Sequence, residues 1–254
     1  MKLTQRTILI TGGTSGIGLE LARQLLERKN TVIVTGRDQE KLHAAKRMLP
    51  DVHTFQSDVS RPDAIETLHD RLLAQFPELD TLINNAGIMR NLNLNQDRDL
   101  IDVTREIEIN LSGPIRMIQQ FLPHLKTRHR ALIVNVSSGL AFIPLPVSPV
   151  YCATKAALHS FTQSLRVQLE GTGVQVIELA PPGVETPLFR GEFAEETKGQ
   201  KAMEVGVLAR HAIAGIEAGK PEIRPGLSNV LKMMSRLAPG FMFSQMVKMS
   251  KPKR

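Results

Sequence analysis

The stretch Thr11-Gly12-Gly13-Thr14-Ser15-Gly16-Ile17-Gly18 lies between a short apolar run, Thr7-Ile8-Leu9-Ile10, and an amphipathic segment, 19–28. Glycines here let the chain turn sharply from a strand into a helix and let the backbone approach a ligand closely. The amino end of the helix then presents unpaired N–H groups and a partial positive charge, which suit a phosphate. A plain glycine-rich turn is the alternative, but the position after a first strand favours a dinucleotide site.

Short apolar runs and amphipathic stretches alternate along the rest of the chain. Further strands are predicted at 31–35, 52–56, 80–83, 131–136 and 174–179, and a helix at 62–76. Valine- and isoleucine-rich strands that alternate with helices indicate a parallel sheet covered on both faces, and right-handed crossovers make it doubly wound. The 254 residues show no repeat or linker, so we predict one α/β domain of the Rossmann type over 1–254.

The composition argues against several classes of protein. Hydrophobic residues make up 42% of the chain, and Cys152 is the one cysteine, so no disulfide forms within it. We see no signal peptide, no bilayer-spanning run and no Cys/His cluster, and expect a cytoplasmic protein without a metal site. The net charge of +7 rests mostly on 228–254, which carries six bases and no acid. With 4% aromatic residues as well, a nucleic-acid-binding protein is not expected.

The end of the second predicted strand, Val34-Thr35-Gly36-Arg37, bears on which dinucleotide binds. Sites for NAD usually place an acid here, where it binds the ribose hydroxyls. Gly36 stands at that position, and Arg37 offers a 2′-phosphate charge-assisted hydrogen bonds. The alternative is that Arg37 is a solvated loop residue before Asp38, which caps the next helix. We expect NADP(H) in preference to NAD(H).

Tyr151 and Lys155 lie four residues apart in a helical segment after Pro149, on one face and one turn apart. A free tyrosine has a pKa of about 10, and a nearby ammonium lowers that pKa towards a useful general base. We expect this effect to outweigh burial and to hold the pKa of Tyr151 below 10. Taken alone, such a pair is usually a packing pair, and the Ser137-Ser138 that follows a strand is usually a turn.

Taken together, these segments resemble the short-chain dehydrogenase/reductase family. The resemblance rests on Gly12-x3-Gly16-x-Gly18, Asn84-Asn85-Ala86-Gly87, Asn110, Ser138 and Tyr151-Cys152-Ala153-Thr154-Lys155, which follow in family order and at family spacing. Within the family, the DltE-like branch of small oxidoreductases is the most similar. The resemblance implies hydride transfer between a nicotinamide cofactor and a carbonyl or alcohol, in a homodimer or homotetramer.

The resemblance also implies roles for single residues. Tyr151 acts as the general acid or base on a substrate oxygen that Ser138 holds. Lys155 binds the nicotinamide ribose, and Asn110 holds a water that relays protons. The implied cofactor-binding residues are Gly12, Thr14, Ser15, Gly16, Ile17, Gly18, Arg37, Asp58, Val59, Asn85, Ala86, Gly87, Tyr151, Lys155, Val184 and Thr186.

One segment departs from the family pattern Pro-Gly-x-Val-x-Thr. The chain has Pro181-Pro182-Gly183-Val184-Glu185-Thr186, so a proline stands at 182, where glycine is usual. Pro182 fixes φ and removes a hydrogen-bond donor. Val184 and Thr186 keep their assignment, and the local backbone path is left open.

The substrate side is predicted to be mostly apolar, as ligand pockets usually are. The candidates are Gly139, Leu140, Phe142, Leu145, Val147, Leu188 and Phe189, with 186–200 as a mobile lid hinged at Gly191 and Gly199. Arg90 or Arg190 would anchor an acidic group, and a solvated surface position is the alternative for each. Cys152 is interpreted as a small packing residue.

The basic C-terminal segment, 227–254, has an amphipathic pattern of its own. Leu227, Val230, Leu231, Met234, Leu237 and Ala238 recur at helical spacing, and 241–248 is again apolar and basic. Packing on the body or on another subunit is one hypothesis. Weak contact with an anionic membrane surface is the other.

The sequence therefore predicts an NADP(H)-dependent oxidoreductase with a small carbonyl or alcohol substrate. Two alternatives stay open because a fold alone does not define a function. One is a non-catalytic NADP(H)-binding regulator, and the other is an NAD-linked alcohol dehydrogenase.

Overall fold

The computed structural model describes residues 2–194, 197, 199 and 201–250. Its strands are β1 (Thr7–Thr11), β2 (Thr31–Gly36), β3 (His53–Gln56), β4 (Leu79–Asn84), β5 (Ala131–Val136), β6 (Val174–Leu179) and β7 (Glu222–Ile223). Its helices are α1 (Gly16–Leu26), α2 (Gln39–Met48), α3 (Pro62–Gln75), α4 (Leu100–Val103), α5 (Arg105–Ile107), α6 (Gly113–Thr127), α7 (Pro149–Gln168), α8 (Pro187–Arg190), α9 (Val205–Glu217), α10 (Leu227–Leu237) and α11 (Pro239–Met249). A π-helical turn spans Glu108–Ser112, and a 3-10 turn spans Gly139–Ala141.

The strands form one parallel sheet in the order β3-β2-β1-β4-β5-β6-β7. The predicted doubly wound parallel sheet is therefore confirmed. The direction of winding reverses between β1 and β4, and at such a point a crevice opens outside the carboxyl ends of the strands. The glycine-rich turn after β1 and the Asn85-Ala86-Gly87 segment after β4 both lie at this crevice.

Alternate residues of the central strands feed two separate cores, because successive side chains of a strand point to opposite faces. Ile8 and Ile10 of β1 belong to the core that buries apolar residues of α1 and α9. Leu9 belongs to the core on the opposite face, which buries residues of α3, α6 and α7. Because helices cover both faces of the sheet, the carboxyl ends of its strands are the part that can receive a ligand.

The predicted bounds agree best for two strands whose residues are almost all buried. The predicted strands 131–136 and 174–179 have the bounds of β5 and β6, and the other predicted strands differ by one or two residues. The helix predicted at 19–28 begins earlier, at Gly16, because the last glycines of the turn already belong to it. The two-residue strand β7 was not predicted, since Glu222-Ile223 offers no apolar run.

Helices α10 and α11 form a C-terminal hairpin, residues 227–249, that packs over the loop after β5. A small core of Ile143, Leu231 and Met246 holds it there. The apolar stripe of α10 is only partly covered, because Leu227 and Leu237 are 58% and 73% exposed. Among the described helices, including these two, none has the length and apolarity to cross a membrane.

Candidate active site

The glycine-rich turn is bound tightly to the segment after β4. Thr11 Oγ1 accepts the N–H groups of Asn85 and Ala86 at 3.0 and 3.1 Å. The Asn85 side-chain amide donates to the carbonyls of Thr11 and Gly12, each at 3.0 Å. A Cβ at Gly18 would lie 2.5 Å from both Asn85 Nδ2 and the Gly12 carbonyl, so a side chain has no room there. The two segments therefore make one cradle at the crevice.

The first turn of α1 suits an anion. Gly12 and Gly16 have φ values of 65° and 53°, a region that glycine adopts without strain. Ser15 stands at the N-cap but makes no side-chain capping bond, so it leaves the first N–H groups of α1 available. Together with the helix dipole, these groups fit the pyrophosphate of a dinucleotide.

At the far end of the crevice, the structure places two basic side chains. Arg37 is exposed beside Gly36, and Lys41 of α2 lines the same cavity. Lys41 was missed from the sequence, although its place in the first turn after Asp38 brings it near. Asp38 accepts the N–H of Lys41 at 3.1 Å and caps α2, as expected, so its carboxylate is engaged. The other predicted acid, Asp58, accepts bonds from the N–H and hydroxyl of Ser60 at 2.9 and 2.7 Å.

Ser138, Tyr151 and Lys155 come together at the opposite end of that cavity. Ser138 follows β5, and its hydroxyl, which accepts the N–H of Leu140 at 3.1 Å, lies beside Tyr151. Lys155 Nζ lies 5.6 Å from the centre of the Tyr151 ring and donates to the Val136 carbonyl at 2.8 Å. Ser137 also borders the cavity, but its hydroxyl donates to the buried carboxylate of Glu178.

The expected pKa of Tyr151 is wrong for the protein without a ligand. Tyr151 is 7% exposed, and burial raises its pKa above the ordinary value, although the neighbouring Ser138 hydroxyl acts in the opposite direction. Burial also lowers the pKa of Lys155 to about 8, and the charge of Glu178 offsets part of that effect. The ammonium is therefore lost at a lower pH than the phenolate forms, so it does not lower the tyrosine pKa as expected.

Asn110 is fully buried in the π-helical turn, a kind of distortion that is frequent at functional sites. Its side chain accepts the N–H of Ile88 at 2.9 Å and donates to the Ile88 carbonyl at 2.8 Å. A Cβ at Gly87 would lie 3.2 Å from Asn110 Oδ1 and 3.6 Å from Lys155 Nζ. Asn110 therefore fixes the chain after β4 beside Lys155.

The segment with the extra proline keeps its predicted site residues at the crevice. The N–H of Gly139 donates to the Pro181 carbonyl at 2.7 Å, and Val184 forms a parallel bridge with Met203. Thr186 caps α8, and its methyl lies 3.2 Å from where a Cβ of Gly16 would be. The strand-like bridge to Met203 was not predicted, because it joins segments without a strand pattern.

One cavity of about 960 Å³ joins these groups. It is lined by the predicted cofactor-binding residues Gly12, Thr14, Ser15, Gly16, Ile17, Arg37, Asp58, Val59, Asn85, Ala86, Gly87, Tyr151, Lys155, Val184 and Thr186. Gly18 and Asn110 do not line it and instead support its wall. The cavity runs from Arg37 to Ser138, which is the path that a dinucleotide with its nicotinamide at Tyr151 would take.

Several residues that were predicted near the substrate do not line the cavity. Arg90 is turned away to Asp102, which it binds at 2.9 Å, and it does not line the cavity. Arg190 is bound to Glu185 and does not line the cavity either. Cys152 is buried and accepts the N–H of Leu145 at 3.2 Å. In the predicted lid, 186–200, residues 186–189, 193 and 197 line the cavity, whereas 195, 196, 198 and 200 lie outside the described residues.

A pair of titratable side chains behind Ser137, His159 and the buried Glu178, was also missed from the sequence. His159 Nδ1 lies 2.6 Å from Glu178, which is fully buried, and Glu222 lies close enough for the three side chains to share an ion. Glu222 already binds Lys232 and Arg224. Periodicity could not reveal this cluster, because its members come from α7, β6 and β7.

Comparison with known proteins agrees with this geometry. The sequence profile of the short chain dehydrogenase family matches residues 6–197. The chain is 42% identical over 247 residues to the uncharacterized oxidoreductase DltE of Bacillus subtilis, covering 97% of this chain and 98% of the relative. It is 38% identical over 197 residues to the NADP-dependent 3-hydroxy acid dehydrogenase YdfG of Salmonella typhimurium, covering 76% and 79%.

Two solved structures have the same fold. A short chain dehydrogenase from Burkholderia cenocepacia in complex with NADP superposes with a TM-score of 0.84 at 24% identity, covering 97% of this chain and 99% of that chain. A short-chain dehydrogenase from Sphingobium yanoikuyae in complex with NADPH superposes with a TM-score of 0.80 at 26% identity, covering 98% and 97%. With the family profile matching most of the chain, this protein belongs to the short chain dehydrogenase family of oxidoreductases.

Proposed function

We propose that this protein transfers a hydride between NADP(H) and a small carbonyl or alcohol, with Tyr151 as the general acid or base. The observation that carries the proposal is the single cavity that joins the Arg37 end of the cradle to Ser138, Tyr151 and Lys155. When bound, the nicotinamide supplies the hydride. The protein holds the cofactor and the substrate in the orientation that hydride transfer needs, and its fixed hydrogen-bond donors stabilise the negative charge that develops on the substrate oxygen.

Each residue of the site has a defined task in this proposal. Ser138 holds the substrate oxygen, and Tyr151 gives it a proton in reduction or removes one in oxidation. Lys155 binds the nicotinamide ribose through its ammonium, which has three N–H donors and uses one of them for its bond to the Val136 carbonyl. Asn110 positions the chain at Ile88. The water relay through Asn110 is part of the proposal.

The activity test is a panel of carbonyls and alcohols with both cofactors, followed by nicotinamide absorbance. Turnover with NADPH that exceeds turnover with NADH supports the proposal. Tight NADPH binding without turnover of any panel member would favour the non-catalytic regulator. Turnover with NADH alone would favour an NAD-linked dehydrogenase.

Arg37→Ala tests the choice of NADP(H), which the NADP-dependent relative YdfG and the NADPH complex of the Sphingobium yanoikuyae protein support. Removing a charged hydrogen-bonding partner of the 2′-phosphate should weaken NADPH binding by about 1–3 kcal/mol, or about 5- to 150-fold in Kd. NADH binding should hardly change. The matched control is Arg47→Ala, an exposed arginine of α2 that does not line the cavity. Equal losses for both cofactors would remove Arg37 from the phosphate site.

We also propose that the exposed face of the C-terminal hairpin contacts an anionic membrane surface. Phe241 and Leu237 are 59% and 73% exposed, and Arg236 and Lys248 are exposed among them. Contact with the same face of a second copy would bring these bases together without acids, because 228–254 contains none. An anionic lipid surface offers the complementary charge.

A vesicle-binding assay tests this contact. Arg236→Glu with Lys248→Glu should abolish co-sedimentation with anionic vesicles at low salt, and added salt should weaken wild-type binding because surface charges are screened. The control carries the same reversals at Arg47 and Arg105, exposed bases outside the hairpin. If wild-type protein does not bind such vesicles at low salt, the membrane proposal fails and packing against another subunit becomes the better hypothesis.

A further inference from the structure

The cavity extends beyond Ser138 and Tyr151 into a part that no cofactor contact explains. This part, the distal pocket, lies between the loop after β5 and the C-terminal hairpin. The hairpin is held close: a Cβ at Gly139 would lie 2.7 Å from Ser228 Oγ and 3.2 Å from Leu231. The residue after the catalytic serine thus touches the hairpin, so a substrate whose oxygen is bound at Ser138 extends towards α10 and α11.

Charged side chains are distributed unevenly along the cavity. Among the described residues that line it, the charged ones are Arg37, Asp38, Lys41, Asp58, Lys155 and Lys201. The first four lie at the end of the cradle that follows β2 and β3, and Lys155 belongs to the catalytic group. Lys201 is exposed and stands two residues before Met203, which bonds to Gly183. None of these six comes from the hairpin.

The hairpin instead supplies methionines. Of the ten methionines in the chain, five fall between 233 and 249. Met242, Met246 and Met249 line the cavity, and Met246 is buried against Leu231 and Ile143. Methionine is unbranched and polarizable, so it adapts to apolar groups of different shape. The one polar hairpin residue on this wall is Gln245, which has no charge.

An anionic substrate group placed against the hairpin would lose its hydration without gaining a cationic partner from that wall. Burying an unpaired carboxylate is strongly unfavourable, whereas each apolar carbon removed from water is favourable. Leu227 and Met249 line the cavity and are also 58% and 46% exposed, so they mark a mouth through which a longer chain can extend.

We propose that the distal pocket binds an uncharged apolar chain or ring attached to the reacting carbonyl, with the methionines of the hairpin as its wall. The proposal rests on the proposed hydride transfer at Tyr151. It separates this protein from the relative YdfG, whose name specifies 3-hydroxy acids as substrates.

The first test is a series of straight-chain aldehydes from propanal to octanal with NADPH. The value of kcat/KM should rise by up to about fourfold for each added methylene, the factor expected for burial of one CH₂. Aldehydes of the same length that end in a carboxylate should be poorer substrates than the uncharged ones. A flat series, or a preference for the carboxylate-ended aldehydes, would overturn the proposal.

The second test places a charge on the wall. Met242→Lys should lower the ratio of kcat/KM for octanal to that for propanal by about tenfold or more, because two to three methylenes lose their apolar contact. Met233→Lys is the matched control, since Met233 is 52% exposed on α10 and does not line the cavity. Should Met242→Lys fail to fold, Met249→Lys at the exposed rim replaces it. An unchanged ratio in the folded variant contradicts the proposal.

A binding measurement separates this proposal from the proposed function. Unreactive amides with the same chains are titrated into the protein with NADPH by calorimetry. Affinity that grows with chain length, without reduction of any aldehyde, would uphold the apolar pocket and overturn the hydride transfer. Reduction of the aldehydes combined with amide affinity that ignores chain length would overturn the apolar pocket alone.

Discussion

Tyr151→Phe is expected to lower kcat/KM for any carbonyl substrate by about 10²–10⁴-fold, the usual contribution of a positioned general acid or base. The substitution removes one hydroxyl and keeps the ring, which is 7% exposed, so the packing around α7 should survive. The measurement is initial-rate kinetics with NADPH, together with the Kd for NADPH and the Tm. The Kd for NADPH and the Tm should stay close to their wild-type values.

Cys152→Ser serves as the control for Tyr151→Phe, because Cys152 is the adjacent buried residue and its thiol faces Leu145 instead of the reacting atoms. It should leave the kinetics almost unchanged. Residual activity of Tyr151→Phe within a few-fold of wild type would show that the tyrosine is a packing residue and that the acid–base proposal is wrong.

Lys155→Met is expected to produce the second large effect, a fall of about 10²-fold or more in kcat/KM. The methionine fills a similar volume but removes the ammonium that would bind the ribose. Burial lowers the pKa of Lys155 to about 8, so in the protein without cofactor the charge is present below pH 8 and is lost as the pH rises through 8. Wild-type NADPH binding should therefore weaken above that pH, and binding by Lys155→Met should not.

Ultraviolet titration gives a direct measure of the coupling, because Tyr151 is the single tyrosine and the chain has no tryptophan. Without cofactor, the phenolate should form only above the ordinary pKa of about 10, since burial raises the pKa of Tyr151. Oxidised cofactor brings a positive ring and should lower that pKa in wild-type protein. A shift of the same size in Lys155→Met would show that the lysine takes no part in it.

The sequence was sufficient for the features that depend on local pattern. The apolar strands at 131–136 and 174–179 and the glycine-rich turn follow from periodicity and from the conformations that glycine permits. The four-residue spacing of Tyr151 and Lys155 placed them on one face of α7, and the structure brings Ser138 to them. These inferences depend only on the identity and spacing of residues that are close along the chain.

The features that were missed depend on contacts between distant segments. The pKa of Tyr151 was predicted in the wrong direction because burial is a property of the folded core, and four residues of spacing cannot report it. The pairing of His159 with Glu178 joins a helix to a strand and follows from neither pattern. The bridge between Val184 and Met203 likewise appears only when the chain has folded.

The close packing at Gly36 has a consequence for how the cofactor preference of this protein could evolve. The simplest route to NAD would be one mutation that installs an acid at the end of β2. A Cβ at Gly36 would lie 2.9 Å from the Thr14 methyl, in the turn proposed to bind the cofactor phosphates. In a single mutant, the new side chain at 36 would thus crowd Thr14 before its carboxylate gained a contact with the ribose. We therefore expect an acid at 36 to be better accommodated once a smaller residue replaces Thr14, which favours one order of the two mutations.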